Sequence, residues 1–94
     1  AYNYPNPITE GKTTFRFYVG NAETAEIQVN IYNAAGYLVK DLVKDDLIAH
    51  YEFNEIKWNN IQVDAGLYFA EIKPDAGQSE QVRLVIIKWI EHML

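Results

Sequence analysis

Apolar and polar residues alternate with a period of two through most of the chain, the mark of strands that bury one face. In TTFRFYV, Phe15, Phe17 and Val19 fall on one side, with Arg16 and Tyr18 on the other. The stretch EIQVNIY turns Ile27, Val29 and Ile31 inward and Glu26, Gln28 and Asn30 outward. NAAG then predicts a short hairpin turn between Asn33 and Gly36, in which the glycine takes a positive φ at little steric cost. After it, Leu38, Val39, Leu42 and Val43 fit neither strict alternation nor a long helix. A bulged strand fits this set best, with one helical turn through KDLVKDDLIAH as the competing reading.

YEFNEIKW predicts another strand, with Ile56 and Trp58 sharing a face, and the two asparagines after it a turn. GLYFAEIK places Tyr68, Ala70 and Ile72 on one face and Leu67 and Phe69 on the other. PDAG closes a hairpin, because Pro74 presets φ, Asp75 can bond its own backbone and Gly77 tolerates the left-handed region. The last run, QVRLVIIKWI, is apolar on both faces from Leu84 onward. That pattern predicts a central strand, or an exposed face that wants a partner. At the start, Pro5 and Pro7 lack an N–H and push Tyr4 and Asn6 into extended geometry, so YNYPNP is an edge strand or its kink. Tyr2 and Tyr4 are then the rings expected to close the end of the core. About seven short strands, with turn signals every ~8 to 12 residues, predict an all-β antiparallel sandwich. The tail WIEHML, residues 89–94, either extends the last strand or forms a short helix.

Composition narrows the function classes. Ninety-four residues make one core, so residues 1–94 are read as a single module. With 49% hydrophobic and 14% aromatic residues, burial can offset the entropy of ordering. A net charge of -5 with scattered Lys and Arg argues against nucleic acid, which is bound by clustered cations. No apolar run approaches the ~20 residues of a membrane-spanning helix. The absence of cysteine removes disulfides, thiolate metal sites and cysteine nucleophiles together. Ala1 leads straight into polar and proline residues, so an exported parent would carry its signal far upstream, and the chain reads as a module cut from a larger protein.

Candidate chemistry is sparse. His50 and His92 lack companions at metal-ligand spacing. Asp41, Asp45 and Asp46 invite a calcium reading, but the spaced ligands and glycine of a calcium loop are missing, and a solvated acidic loop accounts for them. Glu52, Glu55, Asp64 and Glu71 could be paired as acid and base, as in any small acidic protein. There is no glycine-rich phosphate loop and no serine nucleophile motif; Ser79, the one serine, lies in a hairpin loop. No catalytic residue, metal ligand or cofactor is therefore assigned. Tyr2, Tyr4, Tyr18, Tyr32, Tyr37, Tyr51, Trp58 and Trp89 could stack on sugars, although alternation buries Trp58 and leaves Trp89 and the outward tyrosines as platforms.

Taken in order, NYPNP, TTFRFYV, IQVNIYNAAGYLVKDL, a Trp-ending strand, AGLYFAEIK and QVRLVIIK resemble a known family from Tyr2 to Lys88. These are the Ig-like C-terminal modules of exported bacterial proteins, which include the C-terminal sorting domains of the type IX secretion system and the Ig-like domain of the flagellar hook-capping protein. Asn3, Tyr4, Pro5, Asn6 and Pro7 match the family's opening motif. Ile31, Tyr32, Gly36 and Val39 match its hairpin, and Gly66, Leu67 and Tyr68 its Gly-x-Tyr strand start. Trp58-Asn59-Asn60 stands where the family often has Trp-Asp-Gly, and Arg83 to Lys88 where sorting members end in a basic-apolar-basic strand. Here the chain runs on as WIEHML.

The resemblance implies an Ig-like or fibronectin-like sandwich at the C-terminal part of a larger, secreted or surface-exposed bacterial protein. It implies a non-catalytic module for sorting, anchoring or spacing. Its expected partners are the parent's upstream domains, the secretion machinery, or another copy engaged through an edge strand. Leu84, Ile86, Lys88 and Trp89 on the terminal strand are the expected interaction residues. Two alternatives stand beside it: a carbohydrate-binding module of an exported enzyme, and a hook-capping-like scaffold domain.

Overall fold

The computed structural model describes residues 1–46 and 50–88. Among them are seven strands: β1 (Tyr2–Tyr4), β2 (Thr13–Val19), β3 (Ile27–Asn33), β4 (Leu38–Lys44), β5 (Glu52–Trp58), β6 (Gly66–Pro74) and β7 (Glu80–Ile86). They form a three-stranded sheet in the order β1-β2-β5 and a four-stranded sheet in the order β4-β3-β6-β7, every pairing antiparallel. This is an all-β sandwich of the Ig-like kind. Relative to the constant-type Ig arrangement, the fourth strand lies on the edge of the second sheet rather than the first.

The two inner faces are the ones that alternation marks. Phe15, Phe17 and Val19 of β2 meet Ile27, Val29 and Ile31 of β3, Tyr68, Ala70 and Ile72 of β6, and Trp58 of β5 in one buried cluster. Asn54, opposite Phe17, is fully buried as well. Asn30 alternates outward as expected, yet it is buried as well, because β3 is a central strand flanked on that face by β4 and β6.

The bulged strand is found where the apolar spacing breaks. The β3–β4 register steps from Ile31↔Lys40 to Tyr32↔Leu38, leaving Val39 as the extra residue. The turn before it is held by Asn33, whose side-chain oxygen accepts the N–H groups of Ala35 and Tyr37, both at 3.0 Å. Gly36 sits there at φ 91°. Lys40 to Lys44 are strand, and Asp45, Asp46 and His50 are not helical; Leu47 to Ala49 of the competing helical reading lie outside the described residues, as does the tail from Trp89.

One expectation is corrected, and one pair of alternatives is decided. Tyr2 and Tyr4 do not close the core: both rings are exposed, and it is Asn3 between them that points inward. The inward slot of so short a strand is small and polar, with Thr13 beside it. The end of the core is plugged instead by Ile8, 0% exposed, after the chain has turned past the prolines. Among the two readings of the terminal strand, β7 is an edge and not a central strand, with its two-sided apolarity divided between core and surface.

Candidate functional site: the terminal strand and its strap

β7 presents its residues alternately. Val82, Leu84 and Ile86 face the core, while Arg83, Val85 and Ile87 face outward. Leu84 and Ile86, expected as interaction residues, are 0% and 5% exposed, so their side chains are spent on folding. The period of two explains why: the residues a partner can touch are displaced by one position. Val85 is 38% and Ile87 42% exposed. Leu67, directly across from Val85 on β6, is exposed too, and Phe69 lies half-buried opposite Arg83. Together they make an apolar patch, with the exposed cations Arg83 and Lys88 on either side of Val85 and Ile87 in sequence.

The other half of the site is the segment after β1. β1 pairs with β2 in the first sheet, but residues 5–8 cross to the second and lie along the outer edge of β7. Both X-Pro bonds in it, Tyr4–Pro5 and Asn6–Pro7, are cis. Pro5 and Pro7 have no N–H to give a ladder. Asn6 supplies the missing groups from its side chain. Its Nδ2–H donates to the Arg83 carbonyl at 3.0 Å, and its Oδ1 accepts the Val85 N–H at 3.2 Å. Ile8 completes the seal in parallel orientation: its N–H donates to the Val85 carbonyl at 2.7 Å and its carbonyl accepts the Ile87 N–H at 2.9 Å.

The remaining motif residues are structural in what they touch. Buried Asn3 donates from Nδ2 to Thr13 Oγ1 at 3.1 Å and to the Pro5 carbonyl at 3.4 Å, anchoring the bend at its base. Tyr4 donates its hydroxyl to Glu55 on β5, and that bond to a carboxylate is the main reason its pKa lies above the ordinary value. Tyr68 donates to the Asp64 carbonyl at 2.6 Å, the tyrosine-corner arrangement, and desolvation raises its pKa. Trp58 fills the core opposite Thr13, Tyr32 is half-buried, and Gly66 opens β6. Trp89 lies outside the described residues.

The β6–β7 hairpin is tied to the opposite loop by Asp75. Its Oδ1 accepts the Ala25 N–H at 2.9 Å while its own N–H donates to the Glu26 carbonyl at 3.0 Å. The bond from Ala25 chiefly holds this carboxyl below its ordinary pKa of 3.8. A depressed pKa stabilises the fold above the unfolded-state value, and that contribution is lost as pH falls through the folded-state value. The thermal midpoint should therefore drop on acidification below about pH 4, and Asp75→Asn should flatten this part of the profile. An identical acid limb in the variant would remove Asp75 as its cause.

Other clusters offer little chemistry. The rings on the outer face of the first sheet do not form a flat row: Tyr2 and Tyr4 are tilted by 39°, and Tyr18 meets Phe53 edge-on at 66°. A cleft of about 300 Å³ opens between the sheets over Phe17, Val19, Ile27 and Ile72, with Glu80 its one carboxylate. Among the described residues no group of three or more His, Asp or Glu side chains could hold a metal ion. No helix there is long and apolar enough to cross a membrane.

The fold is an Ig-like β-sandwich whose last strand is covered along its outer edge by the segment after β1. Residues 3–88 match the family model of the secretion system C-terminal sorting domain, and the chain belongs to that family. Domains of this family, which serve type IX secretion, mark proteins exported to the cell surface or released. Comparison with curated proteins and with solved structures returns no match.

Proposed function

We propose that this chain is the non-catalytic sorting module of a longer parent protein, and that the secretion machinery reads the outward side of β7. The observation that carries the reading is the patch formed by Leu67, Val85 and Ile87 between Arg83 and Lys88. A contiguous exposed apolar patch is a feature that docking faces share. The cations at its ends give it direction on a chain whose net charge is -5. Upstream domains of the parent are the cargo. The tilted rings on the first sheet give the carbohydrate-binding alternative no support. Deleting residues 81–94 should abolish export of a reporter fused ahead of the domain in a host with type IX secretion. A reporter still exported at the full level would overturn the sorting role of β7.

A further inference from the structure

From the way residues 5–8 lie on β7, we infer that the edge of β7 is a strand-acceptor site held shut by a deliberately poor occupant. The partner it fits is an extended, proline-free segment that adds in parallel and places one branched aliphatic side chain in the Ile8 slot. This deepens the sorting reading and rests on it for its biological setting, though not for its test.

The present occupant shows both the fit and its weakness. Period-two alternation turns the outward backbone groups of Gln81, Arg83, Val85 and Ile87 toward the edge. An ordinary strand would bond them with its own backbone. The strap does so only through Ile8, to Val85 and Ile87. Further up it relies on the Asn6 carboxamide, because Pro5 and Pro7 have nothing to donate. Among the described residues its bonds stop at Arg83 and none reaches Gln81. Asn6 is exposed, so water competes for both of its bonds. By contrast, Ile8 is wholly buried, so a displacing strand must refill that slot. A proline-free strand gains ladder bonds that the strap cannot make, and the exchange is favourable once its aliphatic residue replaces Ile8.

Two NMR measurements on the 94-residue chain test this. Amide exchange at Val85 and Ile87 should be at least about tenfold faster than at Val29 and Ile31 in the central strand, and Asn6→Ala should speed it about tenfold more by removing two hydrogen bonds. The capped peptide Lys-Thr-Ile-Thr-Ile-Thr-Lys should shift the amides of Gln81, Arg83, Val85 and Ile87. It should bind Asn6→Ala about tenfold more tightly, and a control with proline at both isoleucine positions should not bind. Exchange at Val85 and Ile87 as slow as in β3, or peptide shifts confined to β4 or β5, would overturn the inference. So would no shift at millimolar peptide. Should Asn6→Ala fail to fold, the wild-type exchange and titration decide alone. A peptide that leaves β7 untouched removes the exchange mechanism without touching the export assay, so the two readings fail separately.

Discussion

Aspartate at both Val85 and Ile87 is expected to abolish export of a fused reporter while the domain stays folded. Val85 on the edge strand and Ile87 just past its end are both exposed, so the substitutions remove the centre of the exposed apolar patch and leave the buried cluster intact. Their structural cost is the strand preference of a β-branched residue over aspartate, about 1 kcal/mol each at most. Their cost to docking is larger, because two charges would have to be desolvated at the middle of an apolar contact. Circular dichroism and the thermal midpoint check the fold, and reporter export checks the function. A variant that is folded and exported normally would move recognition away from this face.

Leu84→Ala, one position along, should fail for the opposite reason. Leu84 is fully buried at the centre of β7, across from Tyr68. Truncating such a leucine typically costs about 2–5 kcal/mol, through lost transfer energy and the cavity left behind. A domain of this size is stable by only about 5–15 kcal/mol, and the thermal midpoint should fall by on the order of 10–30 °C. Urea denaturation measures the loss directly, with the slope unchanged if the unfolded state is unaffected. A cost below about 1 kcal/mol would contradict the packing described for β7. The pair of experiments separates two ways of losing export that a deletion merges. Loss with the fold intact marks the surface of β7, and loss with the fold gone marks its core.

Much of the sandwich was legible because its strands obey a period of two, and a residue's parity then decides its side. Phe15, Phe17 and Val19, and Ile27, Val29 and Ile31, fall inward on that rule alone. Val39 broke the rule and marked the bulge. On a strand apolar on both faces parity does not say which set is inside, and Leu84 and Ile86, expected as interaction residues, turn their side chains into the core. β1 is too short for parity to outweigh the pull of two aromatic rings, so Tyr2 and Tyr4 were expected in the core and Asn3 was not. Nothing in the local pattern marks Asn6 as a ladder partner, since its two bonds are made with residues about eighty positions away. The nearest signal is the pair of prolines, which announce that a backbone donor is missing and that something must stand in for it.

The family was equally legible, because its motifs are short-range: prolines that bend the entry, a turn glycine, and a tyrosine two residues into β6. Alternation and turn chemistry, read from the chain alone, determined that this is an all-β sandwich and where its strands run, since these depend on neighbours in sequence, while the resemblance of its short motifs pointed to the family. Tertiary structure alone decided that β7 is an edge, that Val85 and Ile87 rather than Leu84 and Ile86 are exposed, and that Asn6 and Ile8 close the ladder. Each of these depends on which strands become neighbours across the sheet, and that pairing is settled by packing two faces against one core rather than by any local preference.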